Sequence, residues 1–199
     1  LVAETDTGNI TRQEAVSMIP PLFMDVEPHH RVLDMCAAPG SKTSQCLEFL
    51  HAKCGANGVP SGVVIANDAD RERCSMLTHQ MKRINSPSLM ILHHEAQNIP
   101  MLWERSGTGP GTTRTPMRYD RVLCDVPCSG DGTLRKAPQP MEQWKSNKGV
   151  IFHILRVPIE AGADGADAGL AGLEVLAGLA GARRAQGRRT PRTPRSTCR

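Results

Sequence analysis

Arg31-Val32-Leu33-Asp34-Met35-Cys36-Ala37-Ala38-Pro39-Gly40-Ser41-Lys42-Thr43 reads as an apolar run, a turn of small residues and the start of a helix. The run follows Pro28 and predicts a strand over 31–36. Ser41 opens a helical segment that carries Cys46, Leu47 and Leu50 on one face. Outward from there, Gly62 to Ala66 is a second β-rich run, ending at Asn67-Asp68. Residues 69–84 predict an amphipathic helix with Cys74, Leu77, Met81 and Ile84 toward a sheet. Leu89 to Leu92 is a third strand, and Tyr119 to Cys124 a fourth, ending at Asp125. Residues 105–117, rich in Gly, Thr and Pro, predict a surface loop. Strands alternating with helices in this way predict an α/β domain with a parallel sheet. Upstream, Arg12 to Pro20 predicts a helix with an apolar stripe, broken at Pro20-Pro21 and packed beside the sheet.

The chain has 199 residues, 39% of them hydrophobic and 3% aromatic, which suits one domain with a tail. It contains no apolar run long enough to span a membrane and no charged-then-apolar leader, so no membrane partner is expected. The first residue is Leu1 rather than Met, which predicts a fragment lacking its natural start. Seven cysteines at irregular spacing point to reduced thiols in a cytosolic or nuclear setting. No pair of them has zinc-ligand spacing, and nothing near Cys124 and Cys128 completes a metal site.

Net charge is +4, but it is unevenly placed. Residues 157–199 hold seven Arg against Glu160, Asp164, Asp167 and Glu174, leaving +1 for residues 1–156. A basic balance confined to such a tail does not by itself indicate nucleic-acid binding. From about residue 157 the sequence is dominated by Ala, Gly and Leu and then by Arg, Thr and Pro, a composition that predicts disorder. The expected organisation is therefore an N-terminal helical segment (1–30), a ligand-binding core (31–156) and a low-complexity tail (157–199).

Four candidate site elements fall where strands give way to loops: residues 36–42, Asp68, Glu95 and Asp125. In an open parallel sheet, ligands bind outside the carboxyl ends of the strands. Each position alone could be a turn or a helix cap; four in register point to a ligand cleft. Gly40 and its small neighbours would let backbone approach a ligand. Gly40-Ser41-Lys42-Thr43 matches only the end of a phosphate-binding loop, because the first glycine is missing, which argues against a nucleotide triphosphatase. Asp68 is placed to accept hydrogen bonds from ribose hydroxyls, and Glu95 suits the adenine side of a cofactor.

Residues 1 to about 136 resemble the NOP/Sun-domain (RsmB/NOP) family of RNA cytosine-5 methyltransferases. Asp34 to Thr43 matches the family's cofactor loop, and Asp125-Val126-Pro127-Cys128-Ser129-Gly130 its Asp-x-Pro-Cys-Ser-Gly motif. Leu1 to Pro20 resembles the eukaryotic tRNA branch in particular. The resemblance implies a Rossmann-like class I S-adenosylmethionine-dependent methyltransferase fold, incomplete on its C-terminal side. It implies contacts to S-adenosyl-L-methionine from Cys36, Ala37, Ala38, Pro39, Gly40, Ser41, Lys42, Asp68, Glu95 and Asp125. The family more often has Asp where this chain has Glu95. RNA, tRNA above all, is the implied partner of a monomeric, metal-free protein acting in the nucleus or nucleolus.

The chemistry requires a thiolate to add at C6 of cytosine, because C5 is otherwise a poor nucleophile. The target base must also leave its stack. By the resemblance, Asp125 hydrogen-bonds the base, Lys42 holds that acid in place, and Cys128 assists product release. The attacking cysteine of the family lies in a later Thr-Cys motif, and here the resemblance fades after Trp144. Ser196-Thr197-Cys198-Arg199 echoes that motif, yet it follows Arg-Thr-Pro-Arg instead of an apolar strand, and chance explains it better.

Two further readings compete with RNA methylation. One is an inactive, truncated or frameshifted remnant that binds cofactor or RNA without turnover. The other is a small-molecule or protein methyltransferase on the same fold, in which the Asp-Val-Pro-Cys segment would serve no purpose. The 199-residue chain is expected to bind S-adenosylmethionine weakly and to methylate little; robust transfer of labelled methyl to tRNA by this chain would contradict that expectation.

Overall fold

The computed structural model describes residues 2–6, 10–55, 58–106 and 112–127, together with the backbone of 175–177. At its centre is β1 (Arg31–Asp34), flanked in parallel by β2 (Val63–Asp68) and β6 (Arg121–Cys124). β3 (Leu89–His93) pairs in parallel with β2, and β7 (Val175–Ala177) with β6, giving the order β3-β2-β1-β6-β7. Two helices make the parallel crossovers: α3 (Ser41–Ala52) between β1 and β2, and α4 (Arg71–Met81) between β2 and β3.

β1, β2 and β6 are apolar because both faces of the sheet are covered there. Successive side chains alternate between the faces. Val32, Val64 and Ala66 enter one core with Cys46, Leu47 and Leu50 of α3 and Leu77 and Met81 of α4. Leu33, Ile65, Val122 and Cys124 enter a second core with Ala96, Tyr119 and Val126. The helix faces expected from sequence spacing are thus the buried ones.

Several expected boundaries move for identifiable reasons. β1 stops at Asp34 rather than Cys36: the Met35 N–H donates to the Leu123 carbonyl at 3.0 Å as the last rung of the pairing with β6, and the chain turns at Met35 and Cys36. α4 begins at Arg71, where the Asp70 carboxylate caps the Arg73 N–H at 2.9 Å.

The predicted break at Pro20-Pro21 does not occur: α2 (Ala15–Phe23) runs through both prolines, which are buried. The side chain of Gln13 donates to the Ser17 carbonyl at 3.3 Å, the acceptor that Pro21 has no N–H to satisfy. Gln45 of α3 donates to the Met18 carbonyl at 2.9 Å, so α2 is tied to α3 and not laid beside the sheet.

The predicted surface loop at 105–117 is largely a hairpin. β4 (Trp103–Ser106) pairs antiparallel with β5 (Thr113–Pro116); the glycines lie in the connection between them, with Pro110, while Pro116 ends β5. Turn residues at its tip dominated the composition and hid the Thr-rich strand beside them. Within the stretch predicted to be disordered, Val175–Ala177 stands as a strand on β6. Its three apolar residues suit a place beside a buried parallel strand.

The Asn67 side chain, fully buried, ties the loops after β1 and β3 together. Its amide donates to the Met35 carbonyl at 3.0 Å and the His94 carbonyl at 2.9 Å, and its oxygen accepts from the His94 N–H at 3.0 Å. Asn67→Ala would strand these backbone groups, at a cost of about 2–4 kcal/mol. An unchanged urea midpoint for that variant would show that they find other partners.

Candidate functional site

The sheet order reverses at β1, since the chain builds outward through β2 and β3 before returning with β6 on the other side. The carboxyl ends of β1 and β6 therefore open a crevice. The loop after β1 and the first turn of α3 wall it, and α2 with the residues just before it closes the far side. The result is a cavity of about 250 Å³.

Of the residues expected in a site, Cys36, Ala37, Ala38, Pro39, Ser41, Lys42 and Asp125 line this cavity. Lys42 rises from the first turn of α3 and its Nζ meets Asp125 Oδ2 at 2.6 Å, an ion pair spanning the crevice. Asp125 remains 41% exposed and Lys42 19%. The pair is therefore half open to water and fixes position more than it adds stability.

Gly40 is not among the residues lining this cavity. Its φ is +112°, and a Cβ there would stand 2.7 Å from Leu77 Cδ1 and 2.9 Å from Met81 Cε. Close packing against α4 and the positive φ demand glycine here, independently of any ligand.

Asp68 and Glu95 also lie outside the cavity lining. Asp68, 3% exposed, accepts from the Ala38 N–H and the Asp70 N–H, both at 3.1 Å, and faces Arg73 at 3.5 Å. It holds the loop that forms the cavity wall. Glu95 is exposed and accepts from the Gln97 and Asn98 side chains at 3.1 and 3.0 Å. Cys128 falls outside the described residues.

Cys36 lines the cavity, but its thiol is pushed up to about 12 by burial, reinforced by Cys124 and the surrounding carboxylates. It stays protonated at neutral pH and is no thiolate nucleophile. Among the described residues, no group of three or more His, Cys, Asp or Glu side chains is arranged to hold a metal ion.

Two parts of the site escaped the sequence reading. Arg12, Gln13, Glu14 and Ser17 line the cavity, although in sequence their segment shows only an apolar stripe. The other is Asp34, an acid inside an apolar strand, which is itself the signal that could have flagged it. Its Oδ2 accepts from Thr43 Oγ1 at 2.8 Å, while its Oδ1 is buried with no hydrogen-bond partner among the described residues. Burial raises the carboxyl from 3.8 to about 7. The Thr43 hydrogen bond, Lys42 and the Cys36 backbone N–H oppose that rise, and Asp125 adds to it.

Comparison with known proteins agrees with this architecture. Residues 21–156 match the model of the family described as 16S rRNA methyltransferase RsmB/F. The chain is 50% identical over 159 residues to a Saccharomyces cerevisiae multisite-specific tRNA:(cytosine-C(5))-methyltransferase, covering 80% of this chain and 22% of that protein. It is 50% identical over 153 residues to a Drosophila melanogaster tRNA (cytosine(34)-C(5))-methyltransferase, covering 77% and 20%. The chain thus spans about a fifth of the length of these relatives. Its fold resembles that of NSun6 from Pyrococcus horikoshii, solved with SFG, at a TM-score of 0.63 and 21% identity, covering 82% of this chain and 36% of that one.

The raised Asp34 carboxyl carries a pH signature. Its contribution to stability is fully present below the unfolded value near 4 and is lost as pH rises through about 7. Asp34→Asn removes that loss, so the urea midpoint of the variant relative to wild type should climb between about pH 4 and pH 8. A difference that stays flat over that range would mean the carboxyl titrates normally.

Proposed function

Because this chain belongs to the RsmB/F methyltransferase family, we propose that it forms the cofactor-binding part of an S-adenosylmethionine-dependent RNA cytosine-5 methyltransferase acting on tRNA. The observation that carries this reading is the Lys42–Asp125 pair across the β1/β6 crevice, at 2.6 Å, on the wall of a cavity built from the Cys36–Pro39 loop. The tRNA specificity rests on the names of the relatives that are 50% identical to it.

The residues present fit S-adenosylmethionine. Asp34 and Asp125 both line the cavity, a pair of carboxyl groups suited to an ammonium-bearing ligand. Cys36 to Lys42, Asp125 and, by way of the loop it holds, Asp68 would retain the cofactor, with Glu95 at the outer end of the same strand edge. When bound, S-adenosylmethionine supplies an electrophilic methyl group.

The chain's own residues serve the pyrimidine. Asp125 accepts or donates a hydrogen bond at N3 as charge shifts in the ring, and Lys42 keeps its carboxylate aimed. A cysteine thiolate adds at C6 to make C5 nucleophilic, and Cys128 assists the elimination that restores the base. Action in the nucleus or nucleolus suits an RNA-processing role, and among the described residues no helix is long and apolar enough to cross a membrane.

In the full-length protein, Asp125→Asn should lower methyl transfer to tRNA about a hundredfold or more while leaving the protein folded. Cys128→Ala should accumulate a slowly migrating covalent RNA–protein species, because release is impaired. Product formed at the wild-type rate with no such species would remove Cys128 from its assigned role.

A further inference from the structure

The β4–β5 hairpin presents an outer face that none of the site chemistry uses. In its register Trp103 stands opposite Pro116 and Arg105 opposite Arg114. Directly opposed residues share a face, and so do residues two apart along a strand. Trp103, Arg105, Arg114 and Pro116 therefore form one surface, and all four are exposed, Trp103 at 56%. The other surface carries Glu104, whose carboxylate is clamped by the Arg31 guanidinium, with Nη2 to Oε2 at 2.8 Å. The hairpin is thus anchored to the body through Glu104 and turns its arginines outward.

Two like charges placed opposite each other in an antiparallel ladder destabilise it. Among the described residues neither Arg105 nor Arg114 has an acidic partner, and between Glu104 and Asp120 the sequence contains three arginines and no acid. The third, Arg118, is exposed as well. A polyanion relieves that repulsion, and an exposed indole beside it offers a stacking surface to an unpaired base. Arg is also the side chain whose planar fork best matches phosphate oxygens.

We propose that this face binds the sugar–phosphate backbone of RNA, with Arg105 and Arg114 on phosphates and Trp103 against a base. The inference rests on the reading of the substrate as RNA and adds where that RNA is held. Arg31 begins β1, whereas the cavity lies at the carboxyl end of that strand. The hairpin therefore grips a part of the RNA away from the target base, roughly 10 Å along the strand direction. It contributes affinity and orientation, not chemistry.

The test compares wild-type full-length protein with Arg105→Gln/Arg114→Gln and with Trp103→Ala, measuring tRNA binding over a range of salt. The double variant should bind about tenfold more weakly near 100 mM salt, and its log–log salt slope should fall by about 1.5–2. Its S-adenosylmethionine affinity and melting temperature should not drop. Arg105→Lys/Arg114→Lys, which keeps the charge, should retain most of the salt slope, separating phosphate contact from damage to the hairpin. Wild-type binding of tRNA with an unchanged affinity and slope in the double variant would overturn this proposal and leave the substrate reading intact, as would finding that the face instead takes an acidic protein. Failure of the wild-type protein to bind tRNA at all would overturn both.

Discussion

Everything in this molecule is built around β1, a strand of four residues buried on both faces and hydrogen-bonded on both edges. Val32 can reach α3 and α4 only because Leu33 points the other way, so the two cores are set by the register of one short strand. The same strand delivers Asp34 to the carboxyl edge, where the direction of sheet growth reverses. Displacing β1 by one residue would exchange the two cores and carry the acid away from the crevice. Site and scaffold share a single constraint.

Electrostatics at that edge follow from depth. Asp34 is fully buried beneath Thr43, so its charge is disfavoured despite the nearby Lys42. Asp125 lies at the end of the neighbouring strand but is 41% exposed, and it takes the lysine as its partner. Two carboxylates on adjacent strands thus occupy different environments within one cavity. Such separation lets two carboxyl groups of one cavity differ in how readily they ionise.

The wall of the cavity is held from behind. Asp68 takes the Ala38 N–H, Asn67 takes the Met35 carbonyl, and the Ala37 N–H reaches the Asn67 carbonyl at 2.7 Å. Gly40 lets α3 start while Leu77 and Met81 press against it. These residues lie next to the cavity without lining it, and they explain why a loop of Cys, Ala and Pro can hold a defined shape. Preorganisation of this kind lets a loop on a parallel sheet present backbone groups to a ligand without first having to order itself.

The sequence by itself determined the α/β class, the helix faces, the four central strands and the family, since these depend on local periodicity and on long contiguous motifs. Asp34-to-Thr43 and Asp125-to-Cys128 were legible because their residues are adjacent in the chain. The resemblance already implied that Lys42 holds Asp125, and the tertiary structure supplies the physical reason that the two meet. Lys42 and Asp125 are 83 positions apart and are joined by the parallel pairing of β1 with β6. It also separated Gly40, Asp68 and Glu95 from the cavity lining and brought in Arg12, Gln13, Glu14 and Ser17, whose segment shows only an amphipathic stripe. The hairpin at 103–116 and the passage of α2 through two prolines belong to the same class. Their hydrogen bonds come from cross-strand pairing and from side chains such as Gln13 and Gln45, and local propensity contains neither.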